Sequence, residues 1–164
     1  VEIALASNPQ AVAFQLTENT SSQMISPALY EELSVPNVRD TIDLAHGRGL
    51  KGVVHMCGML RGLFDGIELT GMDGIHSVTP PPIGDTPFTT VRERFGDDFI
   101  IIGRLNAQLF VNRSRDDILS TLHELIPPGL VQTPFALLVT TDEMQPSEQD
   151  VHALVEALQS WNAG

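Results

Sequence analysis

A histidine and a cysteine two residues apart are the side chains of this sequence with the clearest capacity for chemistry. They are His55 and Cys57, near the end of the short apolar stretch VVHMCG at 53–58. Side chains alternate across a strand, so the imidazole and the thiol are expected on one side and Met56 on the other. An imidazole nitrogen and a thiolate sulfur together favour zinc among divalent ions. The spacing predicts a zinc site, with a buried cysteine beside a hydrogen-bonded histidine as the alternative.

Zinc needs at least one further protein ligand, and acidic residues follow two other apolar stretches. Glu18 comes after the first stretch, and Asp142 comes after the last. Because a free carboxylate is costly to bury, both side chains are expected to face solvent or a cleft. We predict both as metal ligands, and Glu18 also as a catalytic carboxylate. The alternatives are a loop-tying carboxylate for Glu18 and an ordinary solvated loop for Asp142.

Three further polar side chains lie in or beyond other apolar stretches. Asp85 follows a proline-rich turn and is predicted to be catalytic, unless it only precedes the helix start at Thr86. His76 and Asn106 are predicted to bind substrate. The alternative for His76 is a hydrogen-bonded loop histidine, and the alternative for Asn106 is a structural turn residue.

The elements that must position these side chains alternate along the chain. Five short apolar runs predict buried strands: Ala11–Leu16, Gly52–His55, Gly74–Val78, Phe99–Gly103 and Phe135–Thr140. Segments with helical spacing lie between and after them: Ala28–Arg48, Leu60–Thr70, Thr86–Phe95, Ser114–Ile126 and Ser147–Trp161. Strands that alternate with long helices imply a parallel sheet with helical crossovers, so the predicted fold class is α/β, in one domain spanning residues 1–164.

Two architectures fit about five such units. One is an open doubly wound sheet, and the other is the later part of an eightfold barrel, which normally needs ~250 residues. No glycine-rich phosphate loop follows any predicted strand, so the nucleotide-binding form of the open sheet lacks its usual motif. Both architectures place chemistry at the carboxyl ends of the strands.

Composition excludes several classes of partner. Nine basic and 21 acidic residues give a net charge of −12, whereas nucleic acid or an anionic membrane needs a basic surface. No apolar stretch approaches the ~20 residues of a membrane helix. One cysteine and no visible secretory leader indicate a cytoplasmic protein. Because residue 1 is Val1, we expect the chain to be a piece of a longer protein or a trimmed one.

Four motifs in order resemble the carboxyl-terminal part of one enzyme superfamily. They are Ile25-Ser26-Pro27 leading to Pro36, then His55-Met56-Cys57-Gly58, then Pro81-Pro82-Ile83-Gly84-Asp85, and finally Glu148–Leu158. This order and spacing resembles the uroporphyrinogen decarboxylase superfamily. That superfamily is a TIM barrel that includes the decarboxylase and the zinc-dependent, corrinoid-linked methyltransferases of the methylcobalamin:coenzyme M type.

The resemblance implies a function. The His55-x-Cys57 pair resembles the zinc motif of the methyltransferases, in which zinc holds an acceptor thiol as thiolate for attack on the methyl group of a corrinoid. The resemblance implies zinc and methylcobalamin as cofactors, with Cys57 as a zinc ligand. It also implies two partners, a small thiol acceptor and a corrinoid or corrinoid protein. The methyltransferases use a second cysteine near the last strand, where this chain has Asp142.

Two other functions stay open. The first is decarboxylation of a tetrapyrrole, although the histidine-containing turn that the decarboxylases carry after the last strand is replaced here by Thr140-Thr141-Asp142. The second is a non-catalytic truncated barrel that serves as an interaction module. An open five-strand piece would expose apolar edge strands and one sheet face, so a homo-oligomer or a missing amino-terminal half is expected.

Overall fold

Five parallel strands and five main helices alternate in the computed structural model, which describes residues 11–141 and 144–162. The strands are β1 (Ala13–Thr17), β2 (Lys51–His55), β3 (Gly74–Val78), β4 (Ile100–Asn106) and β5 (Phe135–Thr140). The helices are α1 (Val35–His46), α2 (Phe64–Leu69), α3 (Phe88–Phe95), α4 (Arg115–Leu125) and α5 (Glu148–Asn162). Short 3₁₀ turns occupy Arg61–Leu63, Ala107–Leu109 and Leu130–Gln132.

The strands lie in the sheet in the order of the sequence, β1-β2-β3-β4-β5, and every pair is parallel. A doubly wound sheet reverses its strand order at a switch point, and this sheet has no such reversal among the described residues. Crossovers of one hand between successive neighbours place their helices on one face, as in a barrel. The predicted α/β class is confirmed, and the strand order favours the barrel over the open sheet.

The first predicted helix is present and contains a π-helical turn. The structure has a short helix at Pro27–Leu29, a π-helical turn at Tyr30–Ser34 and then α1. Pro36 lies in the first turn of α1 and has no backbone N–H to donate to the preceding turn. The wider π turn accommodates this loss, so the helix continues through Pro36, and the helix predicted over Ala28–Arg48 is confirmed from 27 to 46.

Only one face of the sheet is covered. On the helix-facing side, Val54, Ile75 and Ile101 are fully buried. The register aligns the opposite side chains across all five strands; we call this side the open face, and it comprises Gln15, Thr17, His55, His76, Ile102, Arg104, Leu138 and Thr140. These side chains are exposed or only partly buried, although Val53 and Gly74 on the same side are buried, and no described helix packs on this face. Within the described ranges, no helix is long and apolar enough to cross a membrane.

The open face leads to a prediction about association. A partly apolar sheet face between two unpaired strand edges favours contact with another chain. We expect the chain as given to self-associate, and Ile102→Lys on this face to shift it toward monomer in gel filtration with light scattering. Leu33→Lys, on an exposed side chain within the π turn, is the matched control and should leave the mass unchanged. A monodisperse monomer of the unsubstituted chain would contradict this prediction.

Candidate functional site

The carboxyl end of β2 is held by contacts with the loop that follows β1. The backbone N–H of Ser22 donates to the carbonyl of Met59 over 2.8 Å, and the Met59 N–H donates to the hydroxyl of Ser21 over 3.1 Å. Gly58 lies between β2 and Met59 with a φ of 83°, a conformation that favours glycine. A Cβ at this position would lie 2.9 Å from the Ser21 hydroxyl oxygen. The chain therefore leaves β2 in a constrained turn directly after Cys57.

The loop that follows β3 packs against the same turn. Asp85 Oδ1 accepts hydrogen bonds from the Leu60 N–H (2.8 Å) and the Thr86 hydroxyl (2.6 Å). Gly84 lies so close to its neighbours that an added Cβ would be 2.1 Å from the Thr79 carbonyl oxygen and 2.8 Å from that of Gly58. Asp85 thus ties the loop after β3 to the turn after β2 and lies before α3. The catalytic role of Asp85 stays a prediction.

Two histidines meet on the open face. His55 and His76 are partners in the register of β2 and β3, and their Nδ1 atoms lie 2.6 Å apart. The ring centroids are 4.9 Å apart and the rings are tilted by 39°. Partial burial lowers the pKa of both imidazoles, and the neighbouring His76 and Arg104 lower that of His55 further. Both rings are therefore neutral near pH 7, and one Nδ1 donates its proton to the other.

Cys57 contacts the loop that follows β1, on the other side of β2 from β3. Its thiol donates to Asn19 Oδ1 over 3.1 Å, and the Asn19 N–H donates to the His55 carbonyl over 2.8 Å. Buried Met56 separates the partly buried His55 and Cys57, as strand alternation predicts. The His55 ring thus contacts β3, while the Cys57 thiol contacts the loop after β1. Simultaneous binding of one ion requires Cys57 to exchange its hydrogen bond for the metal.

Glu18 is hydrogen-bonded within the loop that follows β1. Its Oε1 accepts a hydrogen bond of 2.8 Å from the Thr20 hydroxyl. Burial, and secondarily the charge of Glu18, raise the pKa of the Tyr30 hydroxyl. Among residues 11–141 and 144–162, no three histidine, cysteine, aspartate or glutamate side chains form a group that could hold a metal. His55, Cys57 and Glu18 therefore do not come together as a three-ligand set, and Asp142 lies outside the described residues.

Asn106, predicted to bind substrate, is buried and accepts a hydrogen bond from the Gln108 N–H over 3.1 Å. It caps the 3₁₀ turn after β4, the turn role that the sequence left open. Sequence reasoning missed Arg104, whose Nε donates to the Thr140 hydroxyl over 2.9 Å on the open face. The sequence did contain a signal for Arg104. Arg104 and Asn106 are two residues apart on either side of Leu105, which is the alternation of a strand that continues past Gly103.

The lowered pKa values of His55 and His76 give the fold a pH dependence. In the unfolded chain these imidazoles take up protons near pH 6.5, whereas in the folded protein they do so only at lower pH. This contribution to the free energy of unfolding is therefore fully present above pH 6.5. It is lost as the pH falls from 6.5 through the lower pKa values of the folded protein. We expect lower urea midpoints at about pH 5 than at about pH 7.5, and a smaller difference in His76→Asn. The exposed His123→Asn serves as control; an equal effect of both substitutions would argue against the histidine pair as the cause.

The donor chemistry of His55 and Cys57 fits zinc. The pair offers one imidazole nitrogen and one sulfur, and both side chains are partly exposed at the carboxyl end of β2. Catalytic zinc sites keep three protein ligands and one open position. Of the predicted ligands, His55 and Cys57 would supply two of these three, and Asp142 lies outside the described residues.

Comparison with known proteins identifies the family. The family model for uroporphyrinogen decarboxylase (URO-D) matches residues 4–161. Among solved structures, the chain is similar to a methyltransferase from Methanosarcina mazei, with 18% sequence identity and a TM-score of 0.64. The similarity covers 93% of this chain and 43% of the methyltransferase, so this chain spans less than half of that protein's length. No curated protein matches significantly. The chain belongs to the uroporphyrinogen decarboxylase family, and its five parallel strands form part of that family's TIM barrel.

Proposed function

We propose that this chain is the zinc-binding part of a methyltransferase that transfers a methyl group from a corrinoid to a small thiol. The observation that carries the proposal is the placement of His55 and Cys57 at the carboxyl end of a barrel strand, where barrel enzymes hold their active sites. The similarity to a Methanosarcina mazei methyltransferase supports this branch of the family.

In this proposal His55 and Cys57 supply a nitrogen and a sulfur ligand. Zinc, when bound, would lower the pKa of the acceptor thiol so that it reacts as a thiolate near neutral pH. Cys57 must lose its proton and release Asn19 to bind the metal. The backbone N–H of Asn19 donates to the His55 carbonyl, and rotation of the Cys57 thiol does not break this contact. Asp142 is retained as the proposed third ligand.

The open face gives the acceptor and the methyl donor their access. It carries the histidine pair, Arg104 and Thr140 near the strand ends, and no described residue lies over it. The proposed partners are a small thiol and methylcobalamin, either free or on a corrinoid protein. A cytoplasmic location, where thiols stay reduced, remains a prediction consistent with this chemistry.

Zinc binding tests the proposal directly. We expect the intact protein to bind one zinc per chain in competition with a chromogenic chelator, and His55→Gln to bind it at least ~10-fold more weakly. His123→Gln, on the exposed side of α4, is the matched control and should bind like the unsubstituted protein. Absence of zinc binding by folded protein would overturn the proposal.

A tetrapyrrole decarboxylase is the second candidate, and Arg104 is the observation that favours it. Its guanidinium lies near enough to His55 to lower the pKa of that imidazole, so the open face carries positive charge suited to substrate carboxylates. This function predicts quenching of porphyrin fluorescence on binding, unaffected by chelators. A folded protein that binds neither zinc nor porphyrin would instead indicate the non-catalytic interaction module.

A further inference from the structure

The partner of His55 is another histidine, which restricts how His55 can bind a metal or substrate. Its Nδ1 lies 2.6 Å from Nδ1 of His76. A neutral imidazole has one donor and one acceptor nitrogen, so this contact uses one nitrogen of each ring. While the contact persists, His55 can present only Nε2 to a ligand.

We infer that His76 is a positioning residue: its Nδ1 accepts the Nδ1 proton of His55, which fixes the tautomer of His55 and presents Nε2 to zinc. The inference deepens the proposed function and rests on it. Histidine ligands commonly donate their second ring N–H to an acceptor that fixes ring orientation and raises ligand basicity. That acceptor is often a carboxylate or a carbonyl, and here it is a second imidazole on the adjacent strand.

The backbone around His76 makes it a firm support. Its carbonyl accepts a 3.0 Å hydrogen bond from the Met56 N–H, and its register partners are His55 on one side and Ile102 on the other. His76 is therefore paired with both neighbouring strands, directly before a register shift between His76 and Val78, and its side chain is only partly exposed. Substitution there should change the orientation of the His55 ring more than the position of β2.

Two variants separate positioning from structure. His76→Phe keeps a ring of similar shape but cannot accept a proton, and His76→Gln keeps an acceptor oxygen. We expect His76→Phe to weaken zinc binding by about 10- to 100-fold and His76→Gln to restore most of the loss. Circular dichroism establishes that each variant is folded, and His123→Gln is the control.

Nitrogen-15 NMR reads the tautomer in the protein with unsubstituted His76. We expect a scalar coupling between Nδ1 of His55 and Nδ1 of His76, and coupling of bound cadmium-113, used as a zinc substitute, to Nε2 of His55. Metal coupling to Nδ1 of His55, or zinc binding by folded His76→Phe at full affinity, would overturn the inference while leaving the proposed function intact. A protein that binds no zinc would overturn the proposed function, and this inference with it.

Discussion

Replacing Cys57 by alanine is expected to abolish methyl transfer and to remove most of the bound zinc. The substitution deletes one of the two zinc donors proposed from the described residues. A catalytic metal stabilises the charge of the transition state by several kcal/mol, so its loss should lower the rate by ~10³-fold or more. The rate is measured from the absorbance change of methylcobalamin on transfer to 2-mercaptoethanesulfonate, and the metal by elemental analysis of the intact protein.

The fold should tolerate this change. The described hydrogen bond of the Cys57 thiol is to Asn19, whose side chain is exposed, so the free energy of unfolding should change by only about 1 kcal/mol. Met24→Ala is the matched control, because Met24 carries a sulfur in the loop after β1 and is 81% exposed. Full activity in Cys57→Ala, in a protein active before substitution, would remove Cys57 from the mechanism.

The second large effect is expected on stability, from Gly84→Ala. The new Cβ would lie 2.1 Å from the Thr79 carbonyl oxygen and 2.8 Å from that of Gly58. Both contacts are with backbone atoms, so no side-chain rotation relieves them. We expect the free energy of unfolding to fall by about 3 kcal/mol, near the upper end of typical overpacking costs, as measured by urea denaturation.

A second glycine provides the comparison. A Cβ at Gly129 meets no atom within 4 Å, and the residue has helical angles that alanine adopts readily (φ −64°, ψ −25°). Gly129→Ala should therefore leave stability unchanged or raise it by about 0.5 kcal/mol. Equal stability of the two variants would mean that the turn after β3 is looser than the structure shows. Because that turn also packs on the loop after Cys57, we expect Gly84→Ala to weaken zinc binding as well.

Elements with a strong local pattern were predictable from the sequence. The expected bounds of β3 and β5 match the structure, since both are short apolar runs between turn residues. Ser147 and Asp150, whose spacing is typical of a helix start, form a reciprocal cap before α5, with hydrogen bonds of 2.8 and 3.2 Å between the backbone of each residue and the side chain of the other. In these places local chemistry decides the conformation.

The site was only partly predictable because it depends on strand register. His55 and His76 are 21 residues apart, and their contact exists because β2 and β3 align these two positions. The two-residue spacing at the end of β2 suggested His55 and Cys57 as a pair, but His55 contacts β3 and Cys57 contacts the loop after β1. Likewise, only the folded loops bring Asp85 to the backbone of Leu60. Such contacts are tertiary, and one sequence does not contain their register.

X-ray absorption at the zinc edge tests the central claim most directly. The protein loaded with one zinc should show a single sulfur at ~2.3 Å together with nitrogen or oxygen ligands at ~2.0–2.2 Å, and imidazole scattering from His55. Cys57→Ser should lose the sulfur shell while the control Met24→Ala keeps it. A spectrum without sulfur in the unsubstituted protein, or with the sulfur shell intact in Cys57→Ser, would contradict the assignment of Cys57 as a zinc ligand.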